Sequence, residues 1–253
     1  MLLTGVSRAG GIGAAIARRL ARDGARLLLT GWPQHDAEQP WGEDPDGGTR
    51  VRDELRVAGA TVGYVPADLA DPDAPGQLVA AARDVLGHVD VLVANHARSA
   101  RQSLFDVTAE ELDTSFAVNA RATLLLARHV AAQHERPEGG RIVLFTSGQY
   151  HGAMPDELPY IASKAVLQQL TASLAVTLAP RGITVNCVNP GPNDTGYATG
   201  ELHRQVEEAM PAGRWGRPDD AARLVAWLCS DEADWVTGQT IASDGGWSAL
   251  GFT

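Results

Sequence analysis

The sequence predicts an α/β fold in which a mainly parallel sheet is covered by helices on both faces. Three observations predict it. Short apolar runs alternate with longer segments of helical periodicity along nearly the whole chain, the pattern of parallel strands joined by helical crossovers. The runs are almost uninterrupted, as in "VDVLVAN" and "ITVNCVN", which suits strands buried on both faces. Finally, 253 residues without a compositional break fit one domain, 1–253, with a substantial core.

Each element follows in order. Only "MLL" precedes Thr4, so the first strand is short or the true start lies upstream. Further strands are expected at 27–30, 62–68, 89–95, 141–147, 183–189 and 240–244. Helical spacing runs through "GAAIARRLARDG", "RVRDELRVAG", "APGQLVAAARDVLG", "EELDTSFAVNARATLLLARHVAAQ" and "YIASKAVLQQLTASLAVTLAPRG". Two stretches read as irregular: the acidic, Pro- and Gly-rich 31–48, and 191–218, whose length suggests a lid or substrate loop.

The bulk numbers exclude several classes. A formal net charge of −10 leaves no basic stripe for nucleic acid and would be repelled by an anionic membrane surface. Two cysteines, Cys187 and Cys229, sit in apolar runs and build neither a disulfide framework nor a metal cluster. No His/Cys/Asp grouping has metal-ligand spacing, so no metal is expected. Neither a signal peptide nor a run of ~20 apolar residues is present, and the expected location is the cytoplasm.

The first strand runs into "TGVSRAGGIGAAIARRL". A strand, then glycines, then a helix is the arrangement that cradles a pyrophosphate: glycines let the backbone approach, and the helix N-terminus offers N–H donors. Further on, "SGQYHGAMPDELPYIASK" holds two tyrosines, Tyr150 and Tyr160. Tyr160 is four residues before Lys164, so the two share one helix face. A lysine ammonium there is expected to lower the phenol pKa from ~10 and make Tyr160 an acid/base group.

The glycine turn resembles the T-G-x-x-x-G-x-G turn of the short-chain dehydrogenase/reductase family, extended by two residues. Thr4, Gly5, Gly11, Ile12 and Gly13 match its fixed positions. Other motifs follow in order: Asp68 in "PADLAD", Asn95 in "VANHA" where the family has N-N-A-G, and Asn119 in "FAVNARA". Ser147, Tyr160 and Lys164 then match the catalytic set, and "NPGPNDTG" supplies Pro190, Gly191 and Thr195. With "GRPDDAARLVAWLCSDEADWVTGQTIASDGG", the resemblance covers residue 4 to about 247. The long turn, "PWG" and "NPGPNDTG" together resemble a bacterial subgroup commonly labelled 3-oxoacyl-carrier-protein reductase-like.

The resemblance implies a Rossmann-type, doubly wound parallel sheet of about seven strands in a three-layer α/β/α arrangement. It implies an oxidoreductase moving a hydride between a nicotinamide cofactor and a carbonyl or secondary alcohol. Tyr160 would be the acid/base, Ser147 would hydrogen-bond the substrate oxygen, Lys164 would grip the nicotinamide ribose, and Asn119 would relay protons through water. Around the cofactor would stand Gly5, Ser7, Arg8 and Gly11–Gly13 of the turn, with Trp32, Asp68, Leu69 and Asn95, and Thr195 at the carboxamide. A small-molecule substrate and a homotetramer or homodimer are further implications.

At the end of the second strand, where an acid would grip the ribose hydroxyls of NAD, the chain reads Thr30-Gly31-Trp32. Arg8 resembles the basic residue of NADP-dependent members, while the acids from Asp36 to Asp46 are read as solvated. NADP(H) is therefore expected over NAD(H). The competing reading is a catalytically silent dinucleotide-binding sensor or scaffold, which has no reason to retain Ser147, Tyr160, Lys164 and Asn119 together. An enoyl reductase branch usually spaces its tyrosine and lysine more widely. The pocket is expected to be walled by 148–159 and by the 192–217 loop, which contains Tyr197, Met210 and Trp215.

Overall fold

A computed structural model describes residues 1–39 and 41–250. Seven parallel strands form one sheet in the order β3-β2-β1-β4-β5-β6-β7. They are β1 (Leu2–Leu3), β2 (Leu27–Leu29), β3 (Val62–Tyr64), β4 (Val91–Ala94), β5 (Gly140–Phe145), β6 (Ile183–Asn189) and β7 (Thr240–Ala242). The order reverses between β1 and β4, which creates the switch point of a doubly wound Rossmann fold.

Side-chain alternation explains why the strands read as continuous apolar runs. In β4, Leu92 and Ala94 enter one core layer while Val91 and Val93 enter the other. The first layer lies under α4 (Ala74–Leu86), α6 (Ala122–Gln133) and α7 (Leu158–Leu178). The second lies under α1 (Ile12–Arg22), α3 (Gly47–Val57) and α9 (Pro218–Leu228). Single-face burial would have produced alternating polar residues.

The first strand is two residues long, yet it sits mid-sheet. Its flanks extend the ladder, with Thr4 N donating to Val93 O at 3.0 Å and Val6 N to Thr30 O at 2.9 Å. Leu2 and Leu3 are fully buried, so β1 is short without loosening the core around it.

Three expectations change. The loop 31–48 carries a short helix, α2 (Pro33–Ala37). The 191–218 stretch carries α8 (Gly200–Ala209), whose Arg204 pairs with Glu201 and Glu208 on its exposed face. The helix expected from Glu110 onward is three pieces: α5 (Ala109–Ser115), a π-helical turn at Phe116–Arg121, and α6. Thr108 caps α5 by accepting the Glu111 N–H at 3.2 Å. A π turn at one place in a helix often marks a functional site, and this one carries Asn119.

Candidate active site

A cleft of about 600 Å³ opens where the strands end. Six of them contribute: Gly5 and Ser7 follow β1, Thr30 to Trp32 follow β2, and Asp68 and Leu69 follow β3. Asn95 and His96 follow β4, Ser147 follows β5, and Pro190, Gly191, Asn193 and Thr195 follow β6. The crevice beyond strand C-termini is where ligands bind in such sheets.

At the adenosine-phosphate end, the backbone leaves no room for side chains. Gly5 has φ +75°, and a Cβ on Gly13 would stand 2.2 Å from the Gly5 carbonyl oxygen. Asn95 Nδ2 staples the turn by donating to Thr4 O at 3.2 Å and Gly5 O at 3.1 Å. Gly11 is the N-cap of α1 without any side-chain cap, and Gly11, Ile12 and Gly13 line the cleft. Uncapped first-turn N–H groups at the head of an 11-residue helix fit a pyrophosphate. The extra turn residues move outward: Gly10 is exposed, while Ala9 N donates to Asp44 Oδ2 at 3.1 Å and Ala9 O accepts from Arg18 at 2.8 Å. The insertion therefore leaves the cradle intact.

Two acids of the 31–48 loop, Asp36 and Asp44, depart from expectation, while Glu38, Glu43 and Asp46 are exposed as expected. Asp36 is 7% exposed and lines the cleft rather than standing in solvent. Trp41 Nε1 donates to its Oδ1 at 3.1 Å, and Arg8 Nε lies 3.7 Å from the same oxygen. Arg8 also donates to Thr195 O at 3.0 Å and lies over the Trp41 ring, 5.3 Å from its centroid. Asp44 is held by Ala9 and Arg50. The contacts of Arg8 with Asp36, Trp41 and Thr195 and of Ala9 with Asp44 join segments far apart in sequence, so spacing gave no sign of them.

At the other end, Ser147 and Tyr160 meet on the cleft wall. The strand β5 ends at Phe145, and Ser147 begins the 3₁₀ turn 148–150. Gln149 braces that turn, accepting from Ser147 N at 3.1 Å and donating to Thr146 Oγ1 at 2.8 Å. Tyr160 sits in the first turn of α7. Burial holds its phenol above the ordinary range, the Ser147 hydroxyl works in the opposite direction by hydrogen bonding, and the Glu157 carboxylate adds to the rise.

Lys164 is placed differently from the expectation. It is 2% exposed, lies beneath the cleft, and donates to Phe145 O at 3.0 Å and His96 O at 3.2 Å. Among the described residues no hydrogen bond joins Lys164 Nζ to Tyr160, and the phenol is raised rather than lowered. A buried ammonium requires acceptors, and the carbonyls at the ends of β4 and β5 provide them. Burial lowers its pKa to about 8.

Asn119 also lies behind the cleft. It accepts from Arg98 N at 2.7 Å, donates to Arg98 O at 2.9 Å, and donates to Ser163 Oγ at 2.8 Å. Ser163 in turn donates to the Tyr160 carbonyl at 2.9 Å. His96, where the family motif has a smaller residue, is buried. Its Nδ1 lies 2.7 Å from Thr4 Oγ1 and its Nε2 3.0 Å from Val118 O in the π turn. Burial, then the Lys164 charge, lowers its pKa to about 3, which leaves it a neutral tie between two segments.

The cleft includes every other residue expected at the cofactor, from Gly5 and Ser7 to Trp32, Asp68 and Leu69. Of the expected substrate wall, Met154 and Glu157 of 148–159 line it, as do Asn193, Thr195, Tyr197 and Leu202 of 192–217. Met210 and Trp215 do not. Both are buried, and Trp215 donates to His203 O at 2.9 Å and packs on that imidazole. Tyr150 accepts from Asn189 at 3.4 Å and packs on His151, outside the cleft lining. Among the described residues, no helix is long and apolar enough to cross a membrane.

Comparison with known proteins agrees with this geometry. A family model described as "Enoyl-(Acyl carrier protein) reductase" matches residues 5–248. "Uncharacterized oxidoreductase YjdA" of Bacillus subtilis (strain 168) is 40% identical over 247 residues, 97% of this chain and 95% of that protein. A short-chain dehydrogenase from Burkholderia cenocepacia J2315, solved in complex with NADP, superposes with a TM-score of 0.86 at 35% identity, covering 97% of this chain and 96% of that one. A blue fluorescent protein from a metagenomic library, solved with NADPH, superposes equally well (0.86) at 36% identity, with the same coverage of 97% and 96%. The glycine cradle, the strand-end cleft and similarity along almost the full length have one common explanation: the chain belongs to the short-chain dehydrogenase/reductase family, whose members are nicotinamide-dependent oxidoreductases.

Proposed function

We propose that this protein interconverts a ketone or aldehyde and the corresponding alcohol, with Tyr160 exchanging the proton at the substrate oxygen. The observation that carries the reading is the meeting of Ser147 and Tyr160 on one wall of the cleft, above the buried Lys164. A bound nicotinamide supplies or accepts the hydride. Gly11 to Gly13 would hold its pyrophosphate, Asp68 its adenine, and Lys164 its nicotinamide ribose.

The chain's own residues divide the remaining work. With its phenol held above the ordinary value, Tyr160 is protonated at neutral pH and ready to donate in the reductive direction. Ser147 donates a second hydrogen bond to the same oxygen and so stabilises charge as it develops there. Lys164 keeps a positive charge under the wall at neutral pH, since its pKa is about 8. Asn119 acts through Ser163 on the backbone of Tyr160, fixing the first turn of α7.

Arg8 favours NADP(H), and the NADP and NADPH complexes of two similar structures support that preference. Residues 191–218, with Tyr197 and Leu202 at the cleft, serve as the substrate loop. A 3-oxoacyl thioester is one ketone class within this reading. Phe105 and Val176, 98% and 77% exposed, support assembly into a homo-oligomer.

Tyr160→Phe is the test. With NADPH and a panel of ketones, including a 3-oxoacyl thioester, turnover should fall by about 10²–10⁴-fold. Thermal stabilisation by NADPH should persist, at about 2.7 kcal/mol when the ligand is ~100 times its Kd. Wild-type turnover in Tyr160→Phe would overturn the assignment.

A further inference from the structure

We propose that Glu157 and Arg101 select the substrate: between them they hold a hydroxyl on the carbon next to the reacting carbonyl, so the cleft takes an α-hydroxy ketone or, in reverse, the vicinal diol. The inference rests on the carbonyl-reducing reading and narrows it to one substrate class.

The placement of both residues follows from the chain. Glu157 is the N-cap residue of α7, three residues before Tyr160, so the two lie along one side of the helix. Its carboxylate caps no backbone N–H and instead lines the cleft with Tyr160 and Ser147. Arg101 comes from a distant segment, drawn in where the Leu158 N–H donates to the Gln102 carbonyl at 3.0 Å. It lines the same cleft. Among the described residues, neither the Glu157 carboxylate nor Arg101 has a hydrogen-bond or ion-pair partner, whereas Arg98 is held by Glu111 at 2.7 Å.

The electrostatics agree with that placement. Burial holds the Glu157 carboxyl above its ordinary range, Arg101 works against the rise, and Asp156 adds to it. The phenols of Tyr160 and Tyr197 are raised first by burial, and in both the Glu157 charge contributes further. Glu157, Tyr160 and Tyr197 therefore face one part of the cleft.

The chemistry of the ligand follows from the pair. A carboxylate only accepts and a guanidinium only donates, while a hydroxyl does both. An anionic group would be repelled by Glu157 and a cationic one by Arg101; a neutral hydroxyl meets neither repulsion. Three residues of helix rise about 4.5 Å, which sets Glu157 at a substituent of the neighbouring carbon while Ser147 and Tyr160 serve the carbonyl oxygen. In the reduction the carbonyl carbon gains the hydride, its oxygen gains the Tyr160 proton, and the neighbouring hydroxyl is unchanged.

The test compares matched ketones, acetoin against butanone and α-hydroxyacetophenone against acetophenone, on wild type, Glu157→Gln and Arg101→Gln with NADPH or NADH. Wild type should favour the hydroxylated member of each pair in kcat/KM. Glu157→Gln should lower that preference about tenfold, and Arg101→Gln about threefold. Acetoacetate, an anionic ketone, should gain in Glu157→Gln and lose in Arg101→Gln. A purely structural role would instead change both members of a pair alike. Binding without turnover is read in Tyr160→Phe with NADPH bound: the hydroxylated ketone should raise the melting midpoint more than its partner, and adding Glu157→Gln should abolish the difference. No preference in wild type, or one kept within about twofold in both variants, would overturn the proposal while turnover of the simple ketones leaves the carbonyl-reducing reading standing. If wild type reduces none of these ketones, both fall.

Discussion

The two ends of the cleft are built on opposite principles. At the chemistry end, Lys164, Asn119 and His96 are buried and hydrogen-bonded within the chain, Lys164 through two of its three ammonium donors, and Tyr160 stands on a helix turn braced from behind. At the glycine-turn end, Asp36 Oδ2 and His35 Nδ1 are buried and have no hydrogen-bond partner among the described residues, and Arg8 divides itself among three neighbours. A hydrogen-bonded network fixes geometry before any ligand arrives. The difference teaches that the chemistry end is held by bonds within the chain, whereas the glycine-turn end keeps buried polar atoms that no described residue matches.

The largest effect that could break this comparison comes from Gly13→Ala. The new Cβ meets the Gly5 carbonyl at 2.2 Å and Asn95 Nδ2 at 2.9 Å, and the first of these is backbone that cannot move aside. A loss of about 1–3 kcal/mol or more is expected in denaturant melts, together with loss of dinucleotide binding. Unchanged melts and binding would mean that the turn is not packed against α1 as described.

Lys164→Met sharpens the chemistry end through pH. In the unfolded chain this lysine keeps its proton to about 10.5, whereas in the fold it releases it near 8. Between those values the unfolded state binds more protons, so this group's contribution to stability rises with pH. Below pH 8 the cost of burying the charged ammonium is fully present. Denaturant midpoints of wild type minus Lys164→Met should therefore be flat below pH 8 and climb from 8 towards 10.5. A flat difference throughout would show that the ammonium is not desolvated.

Asn119→Ala tests the bracing behind Tyr160. It removes both bonds to the Arg98 backbone and the donor to Ser163. The expected result is a fall in kcat of about 10-fold, in keeping with misplacement of a catalytic group, with KM for the cofactor little changed. An equal rise in both KM values with unaltered kcat would instead make Asn119 a general support of the cleft.

Legibility in the sequence follows the same division. At the chemistry end, Ser147 after a strand and Tyr160 on a helix were legible, whereas the expected pairing of Tyr160 with Lys164 was not met, because the buried ammonium turns to the carbonyls of Phe145 and His96. The strands were readable because burial on both faces removes polar residues, as in β6, where all seven are buried. The π turn was not, since its wider winding lasts six residues and leaves the apolar pattern of the long helix nearly unchanged. Gly196 and Gly200 hid α8, because they mark breaks in a region that resumes as helix. Asp36 was misread as solvated because it packs with Trp41 and with Arg8 of the distant glycine turn.

The smallest expected effect is the most selective probe of the glycine-turn end. Trp41→Phe keeps an aromatic face beneath Arg8 but deletes the Nε1–H that donates to Asp36 Oδ1 at 3.1 Å. A hydrogen bond to a charged group contributes about 1.5–3 kcal/mol when buried, and part of that is recovered by closer pairing with Arg8. The carboxylate that loses this donor holds Arg8 more firmly and so leaves it less free for a 2′-phosphate. NADP⁺ binding should weaken about two- to fivefold, since each 1.4 kcal/mol is tenfold, while NAD⁺ should hold or improve slightly. Equal weakening of both dinucleotides would place Trp41 in general packing against the ligand, and would separate the stacking role of its ring from any part in cofactor choice.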